Sequence, residues 1–351
     1  MATLCEVVSC APDPASCSKS GIFAAAGAFG LVGNFPADGR WRLSRRGALL
    51  FAAMGVIWGI PYLLIKVADS GVSVPVLVWT RVTVGALILV PVALAQGAWR
   101  PEGRALLRRY WRWVLAYAVI EIIAPWALLS TAEHRLSSST SGLLIASVPA
   151  IGALLAWFLG RERLSRARAG GLALGFAGVA LLAAPNAGRG DLLADAEVLL
   201  TAVCYAAGPM IANRKLVGVP SIAANATCLV IAAVVYTPAA VLTWPHAVPS
   251  ARVLASLAAL GAVCTAAGLV GYFMLIAEIG AARATVVTYL NPAVAVALGA
   301  GVLGEQLTPA IGVAFALILA GSVLATRGPA RIGAPADERS RTQPTAPAPE
   351  T

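Results

Sequence analysis

The sequence predicts an all-α polytopic membrane protein: ten transmembrane helices arranged as two inverted five-helix repeats. Three observations predict it. The 351 residues are 59% hydrophobic and only 12% charged, with mean hydropathy +0.81, whereas soluble domains carry roughly 25% charged residues. Ten apolar stretches of spanning length follow one another with short connections. And one sequence pattern occurs twice: Pro149, Glu162, Leu164 and Gly178 recur 143 residues later as Pro292, Glu305, Leu307 and Gly321. A constant offset at four positions, inside apolar helices, reads as internal duplication.

The chain falls into four parts. Residues 1–44 hold one apolar run, residues 21–33, of 13 residues. Spanning a bilayer as a helix takes ~20, so this extension is expected to be disordered and outside the fold. A weak signal-peptide core preceded by Lys19 is the alternative. Residues 45–185 and 186–326 are read as the two repeats. The spans are expected near 47–68, 75–95, 113–132, 139–160 and 169–185, then 192–212, 221–243, 253–277, 284–304 and 309–326. Backbone polar groups in lipid must be satisfied within the segment, which makes these runs helices. The tail, 327–351, is rich in Pro, Ala and charge and is expected to be disordered.

Cations give the orientation. With the N-terminus cytoplasmic, the inner segments carry Arg40, Arg42, Arg45 and Arg46, the Arg100–Arg112 group of five, and Arg161, Arg163, Arg166 and Arg168. Arg214, Lys215, Arg283 and four arginines of the tail bring them to twenty. The outer loops carry three: Arg135, Arg189 and Arg252. The net charge of +10 is thus explained by topology, and no nucleic-acid partner is expected. Both termini are placed on the cytoplasmic side of an inner membrane. Five spans separate the two copies of the pattern, and an odd number turns the second copy upside down. Inverted repeats with a site near the midplane are a plan of secondary transporters.

At this point the chain resembles the EamA type of the drug/metabolite transporter superfamily. The residues that carry the resemblance are Trp58-Gly59 with Lys66, Pro75 with Arg81, Pro149 with Gly160-Arg161-Glu162-Arg163-Leu164, Tyr289-Leu290-Asn291-Pro292, and Gly304-Glu305-Gln306-Leu307. The resemblance spans residues 47–326. It implies export of small metabolites, commonly amino acids or related compounds, driven by an ion gradient.

Candidate site residues follow from what a bilayer makes expensive. Trp58, Tyr62 and Lys66 lie at i, i+4 and i+8, one stripe drifting about 40° per step. Tyr205, Pro209 and Asn213 repeat it 147 residues on. The stripe suits a cavity wall, with Lys66 snorkelling to the outer interface as the plainer alternative. Arg81 lies about 9 Å inside the second span at 1.5 Å per residue. A buried arginine must face protein or water. Glu121 is the acid in the middle of a predicted helix, with Tyr117 and Pro125 on its face and Trp126 beside them. Arg81 and Glu121 are expected to pair, with substrate or a proton competing for the pair; a permanent structural salt bridge is the alternative. Tyr289 and Asn291 are expected to line the cavity beside the Pro292 break. Glu162 and Glu305 are expected to hydrogen-bond a neighbouring loop or helix start, and the run Ser137, Ser138, Ser139, Thr140 and Ser141 to cap the fourth span, with a polar mouth to the cavity as the alternative. Gly171 and Gly175 form a G-x-x-x-G suited to helix packing or a homodimer contact.

No metal site or cofactor is expected. The six cysteines form no C-x-x-C, and His134 and His246 are far apart. The rival readings are an integral-membrane enzyme acting on lipid-linked substrates, and a channel or scaffold. The first lacks H-E-x-x-H, a nucleophile elbow or a catalytic cluster, and the absence of a Walker A sequence gives no support to a built-in ATPase.

Overall fold

The computed structural model describes residues 44–159, 165–187, 191–280 and 284–326. The terminal segments, Glu162 and Arg283 lie outside the described residues. Among the described residues, ten helices are long and apolar enough to cross a membrane: Arg45–Asp69, Val74–Ala95, Trp111–Glu133, Ser138–Phe158 and Arg166–Ala184, then Leu192–Lys215, Ser221–Leu242, Ala251–Ile279, Thr285–Leu303 and Pro309–Thr326. They are called the first to tenth spans below. Each falls within a few residues of its expected place. The short helix Pro101–Arg109 was not expected. Its signals were present: Pro at the first position, Glu102 in the first turn, and Arg108 and Arg109 in the last, each matching the helix dipole or its free amides.

Side-chain oxygens cap the helix starts where serine precedes an apolar run. Ser44, Ser137 and Ser250 accept from the amides of Gly47, Thr140 and Val253. Prolines break the spans at defined points. The first span is two helices that meet at Ile60–Pro61. The fourth is interrupted between Ile145 and Val148, next to Pro149. The ninth begins as a 3-10 turn, Thr285–Tyr289, and becomes α-helical at Asn291, next to Pro292. The third and eighth spans each widen into a π segment, Val119–Ile123 and Leu260–Ala267.

The two halves run in opposite senses. Ser73 precedes the second span and Thr243 follows the seventh, yet their hydroxyls lie 2.8 Å apart. Glu305 follows the ninth span and binds Ser138, the first residue of the fourth. Repeat-equivalent helices thus start where their partners end, and the bundle has a near end, where the first span starts, and a far end. The fifth and tenth spans, also equivalents, meet through small residues. A Cβ added at Gly171 would sit 2.6 Å from Ala325 N, and one at Gly178 would sit 2.9 Å from Ala314 O. The Gly171 seam is therefore occupied inside the chain by the tenth span, where it packs two backbones closely, and it is not free for the homodimer contact considered above.

Ile65, Leu77, Val78, Leu89, Leu143, Leu229 and Leu260 are fully enclosed between the halves, while Leu87, Val234 and Leu242 lie on the outside. In lipid such outward apolar residues incur no hydrophobic cost.

Candidate substrate site

The site is built where the π segment of the third span packs against the sixth and seventh spans and that of the eighth span packs against the first and second. Pro125 has no amide to donate and crowds the preceding turn, and the third span widens just before it. Carbonyls there find outside partners: Tyr236 Oη donates to Ile123 O at 2.6 Å, and Thr201 Oγ1 lies 3.3 Å from Pro125 O. In the eighth span the hydroxyl of Thr265 donates to Leu260 O at 2.9 Å. π segments recur at functional sites, and these two present Glu121 on one side and Cys264 with Thr265 on the other.

Arg81 is buried. Its guanidinium lies over the Trp126 ring, 3.7 Å from the centroid, and Nε donates to Thr265 Oγ1 at 3.1 Å. A guanidinium stacked on indole keeps a favourable electrostatic partner without a carboxylate. Tyr62 and Cys264 are its further neighbours. Glu121 faces Gly208 of the sixth span so closely that a Cβ there would collide with its carboxylate. Tyr117, Cys204, Tyr205, Cys228 and Tyr272 stand around it. Its Oε2 is buried without a hydrogen-bond partner.

The expected Arg81–Glu121 ion pair is not formed. No acid lies within salt-bridge distance of Arg81 among the described residues. The reason is tertiary: Trp126 and Thr265 hold the guanidinium, while the widened turn directs Glu121 at Gly208. Tyr205 is in electrostatic range of both and beside the Trp126 side chain. Trp58 joins from the first span, its ring 4.7 Å from that of Tyr272. Tyr62 is buried, next to Tyr205 and Arg81. Trp58, Tyr62, Arg81, Glu121 and Tyr205 are thereby brought together, with Trp126, Thr265 and Tyr272 added.

Three of the sequence candidates lie outside this group. Lys66 Nζ donates to the carbonyls of Glu133 and Leu136 at the far end, capping the third span. This is a helix C-terminus, where a cation suits both free carbonyls and dipole. Tyr289 sends its hydroxyl to Thr326 Oγ1, 3.2 Å away on an exposed flank where the tenth span ends. Asn291 sits where the ninth span becomes α-helical, its carbonyl oxygen near Gly59, and its side-chain Oδ1 is buried without a partner.

The far end is closed by polar contacts. Glu305 accepts from Ser138 N at 2.7 Å, Ser139 N at 3.0 Å and Ser139 Oγ at 2.5 Å. Arg135 donates to Glu197 at 3.0 Å, and Asp69 meets His134 at 2.6 Å. The residue sequence reading passed over is Glu133, which is completely buried here. The expected span stopped one residue short of it. At the near end, a crevice of about 320 Å³ lies among Trp113, Leu155, Met210, Arg214 and Lys215.

This is a polytopic membrane protein of two repeated, oppositely oriented five-span halves, with a polar and aromatic cluster between them. The chain belongs to the EamA-like transporter family, whose model matches it twice, over residues 45–184 and 189–327. It is 26% identical over 285 residues to the uncharacterised inner membrane transporter YedA of Escherichia coli K12, covering 80% of this chain and 90% of that one. It is 27% identical over 268 residues to the uncharacterised transporter YvbV of Bacillus subtilis 168, covering 75% and 86%. A solved crystal structure with 22% identity matches at a TM-score of 0.58, over 80% of this chain and 96% of its own; this likeness concerns the fold alone.

Proposed function

We propose that the protein is a secondary transporter of the inner membrane that exports small zwitterionic metabolites, amino acids or related compounds, in exchange for protons. The observation that carries this reading is the separation of Arg81 and Glu121. A cation and an acid face the same aromatic cluster, and among the described residues neither has a counter-charge within salt-bridge distance. A substrate carboxylate would meet Arg81 and its ammonium Glu121, with Trp58, Tyr62, Tyr205 and Tyr272 supplying apolar walls. A neutral substrate would leave both charges unanswered, which is costly in a desolvated site.

The family supports transport, and the likeness to an inner membrane transporter of E. coli supports an inner-membrane location. The distribution of cations supports a cytoplasmic near end with both termini there. The far end, sealed by Glu305 and Arg135, would then be the outer one, and the crevice at Trp113 and Lys215 would open inward. Trp113, Tyr117 and Glu121 are spaced i, i+4, i+8, so a substrate entering there would be led along one helix face to Glu121. Such a state is ready to load from the cytoplasm, as export requires.

The test is flux in proteoliposomes of purified protein. A panel of labelled amino acids and amines should show saturable counterflow that speeds up under an imposed proton gradient. Glu121→Gln should remove the response to the gradient. Flux of the wild-type protein that ignores the gradient, or a Glu121→Gln variant with full gradient dependence, would overturn proton exchange through this residue. Conductance at channel rates, or chemical conversion of the solute, would overturn the transporter reading itself.

A further inference from the structure

Glu133 has no place in the site just described, and its surroundings are unusual. Its side chain is wholly enclosed. Oε1 has no hydrogen-bond partner, and Oε2 has only the Ser138 hydroxyl at 3.5 Å. Ser130, one turn earlier on the same helix, is also enclosed with its hydroxyl unpartnered, and the enclosed Ser141 hydroxyl lies beside the carboxylate. An enclosed carboxylate that meets only serine hydroxyls, with Oε1 lacking a well-made hydrogen bond, is not tolerated in a buried polar network without some further ligand.

The charged and titratable groups facing it are Lys66 and Tyr62 from the first span and Glu305 from the end of the ninth. The Asp69–His134 pair lies next to Lys66. Lys66 does not neutralise Glu133, since its ammonium is directed to the Glu133 and Leu136 carbonyls and makes no ion pair with the carboxylate. Glu305 is spoken for by Ser138 and Ser139. A metal cation placed here would sit against the Lys66 charge. A proton would not: on Oε1 it cancels the buried charge and converts an orphaned acceptor into a donor for a serine oxygen.

We propose that Glu133 is a second proton-binding site, loaded when the far end is open and enclosed when Glu305 seals that end. Resting on the exporter reading above, this gives the proton a binding place on the side from which a proton-driven exporter receives it. Tyr62, whose carbonyl accepts from the Ser138 hydroxyl at 3.1 Å and whose buried side chain belongs to the group around Arg81, lies next to both places.

The test is infrared spectroscopy of the full chain reconstituted in lipid, reading the C=O stretch of a protonated carboxyl across a pH series. Wild type and Glu121→Gln should both show this band. In the Glu121→Gln background, where no second proton-carrying carboxyl contributes, Glu133→Gln should lose it, and Glu133→Asp should shift it. Circular dichroism and size-exclusion elution identify any variant that has not folded, in which case Glu133→Asp carries the decision. A wild-type spectrum without the band, or a band unmoved by both Glu133 variants, overturns the proposal. A band that grows only when sodium is withdrawn overturns it in favour of a sodium site. Because this readout needs no substrate, a failure to transport amino acids with the band intact would sink the functional reading and leave the proton site standing.

Discussion

The third and eighth spans are repeat equivalents, and both contain a π segment at the same height: Glu121 lies 143 residues before Cys264, the same offset that relates Pro149 to Pro292. The backbone device has been kept in both halves while the side chains have diverged. The first copy presents an acid to Gly208. The second presents a thiol and the Thr265 hydroxyl to Arg81. Duplication supplied two equivalent turns facing one interface, and divergence made that interface electrically asymmetric. An asymmetric interface can orient a dipolar ligand, which a symmetric one cannot.

The largest effect should come from erasing that asymmetry. Cys264→Glu puts a carboxylate next to Arg81 from the second-half turn. The guanidinium then acquires a permanent partner, and Arg81 is no longer available to a substrate carboxylate. Transport should fall at least tenfold, about 1.4 kcal/mol in binding terms, with Glu121 untouched. Glu121→Cys, which makes the first turn like the second, should fall as far by losing the ammonium partner. Initial rates of counterflow measure both. A Cys264→Glu protein that transports as wild type would mean that Arg81 does not receive the substrate.

Next comes the far-end seal, where one half's Glu305 holds the start of the other half's fourth span. Glu305→Ala leaves the amides of Ser138 and Ser139 unpartnered. Hydrogen bonds to a charged group contribute about 1.5–3 kcal/mol each, so the sealed state should be depopulated. A cysteine introduced near Ser138 should label faster with an impermeant maleimide in this variant. Unchanged labelling would show that Glu305 does not hold the far end shut.

How much of this was legible beforehand follows from what each feature rests on. Span number and inversion depend on apolar length and on where arginines fall, which are properties of sequence composition along the chain. Ser137 and Glu305 were readable because serine before an apolar run and an acid ending a helix are local signals. The π segments were not, because a one-residue slip in hydrogen bonding leaves no periodic mark; Pro125 was the one hint. The partner of Arg81 was unreadable for another reason. Trp126 and Thr265 are brought to it by tertiary packing from the third and eighth spans, and nothing near Arg81 in sequence announces them. Glu133 was lost to a boundary drawn one residue too early.

A smaller effect sharpens the comparison at Thr265. Its hydroxyl accepts from Arg81 Nε and donates to Leu260 O within the π segment. Thr265→Val keeps the shape and removes both bonds, a loss of about 1–2 kcal/mol. The stacking on Trp126 remains, so Arg81 stays buried but less firmly aimed. The expected result is a several-fold rise in the substrate concentration for half-maximal flux, with the maximal rate much less changed. Equal losses in Thr265→Val and Cys264→Glu would mean that the second turn serves folding and not orientation.

The smallest effect is expected at Tyr289, and it separates the central cluster from the bundle's rim. Its hydroxyl meets Thr326 on an exposed flank of the near end, well outside the group around Arg81 and Glu121. An exposed hydroxyl pair exchanges readily with water or headgroups, so Tyr289→Phe should change stability by less than about 0.5 kcal/mol and transport by less than twofold. Tyr205→Phe makes the matched case, because that phenol is in electrostatic range of both Arg81 and Glu121 and beside Trp126. It should lower flux several-fold while the protein remains folded. If the two tyrosine variants lose transport equally, the substrate path reaches the rim as well as the centre, and Tyr289 belongs to it after all.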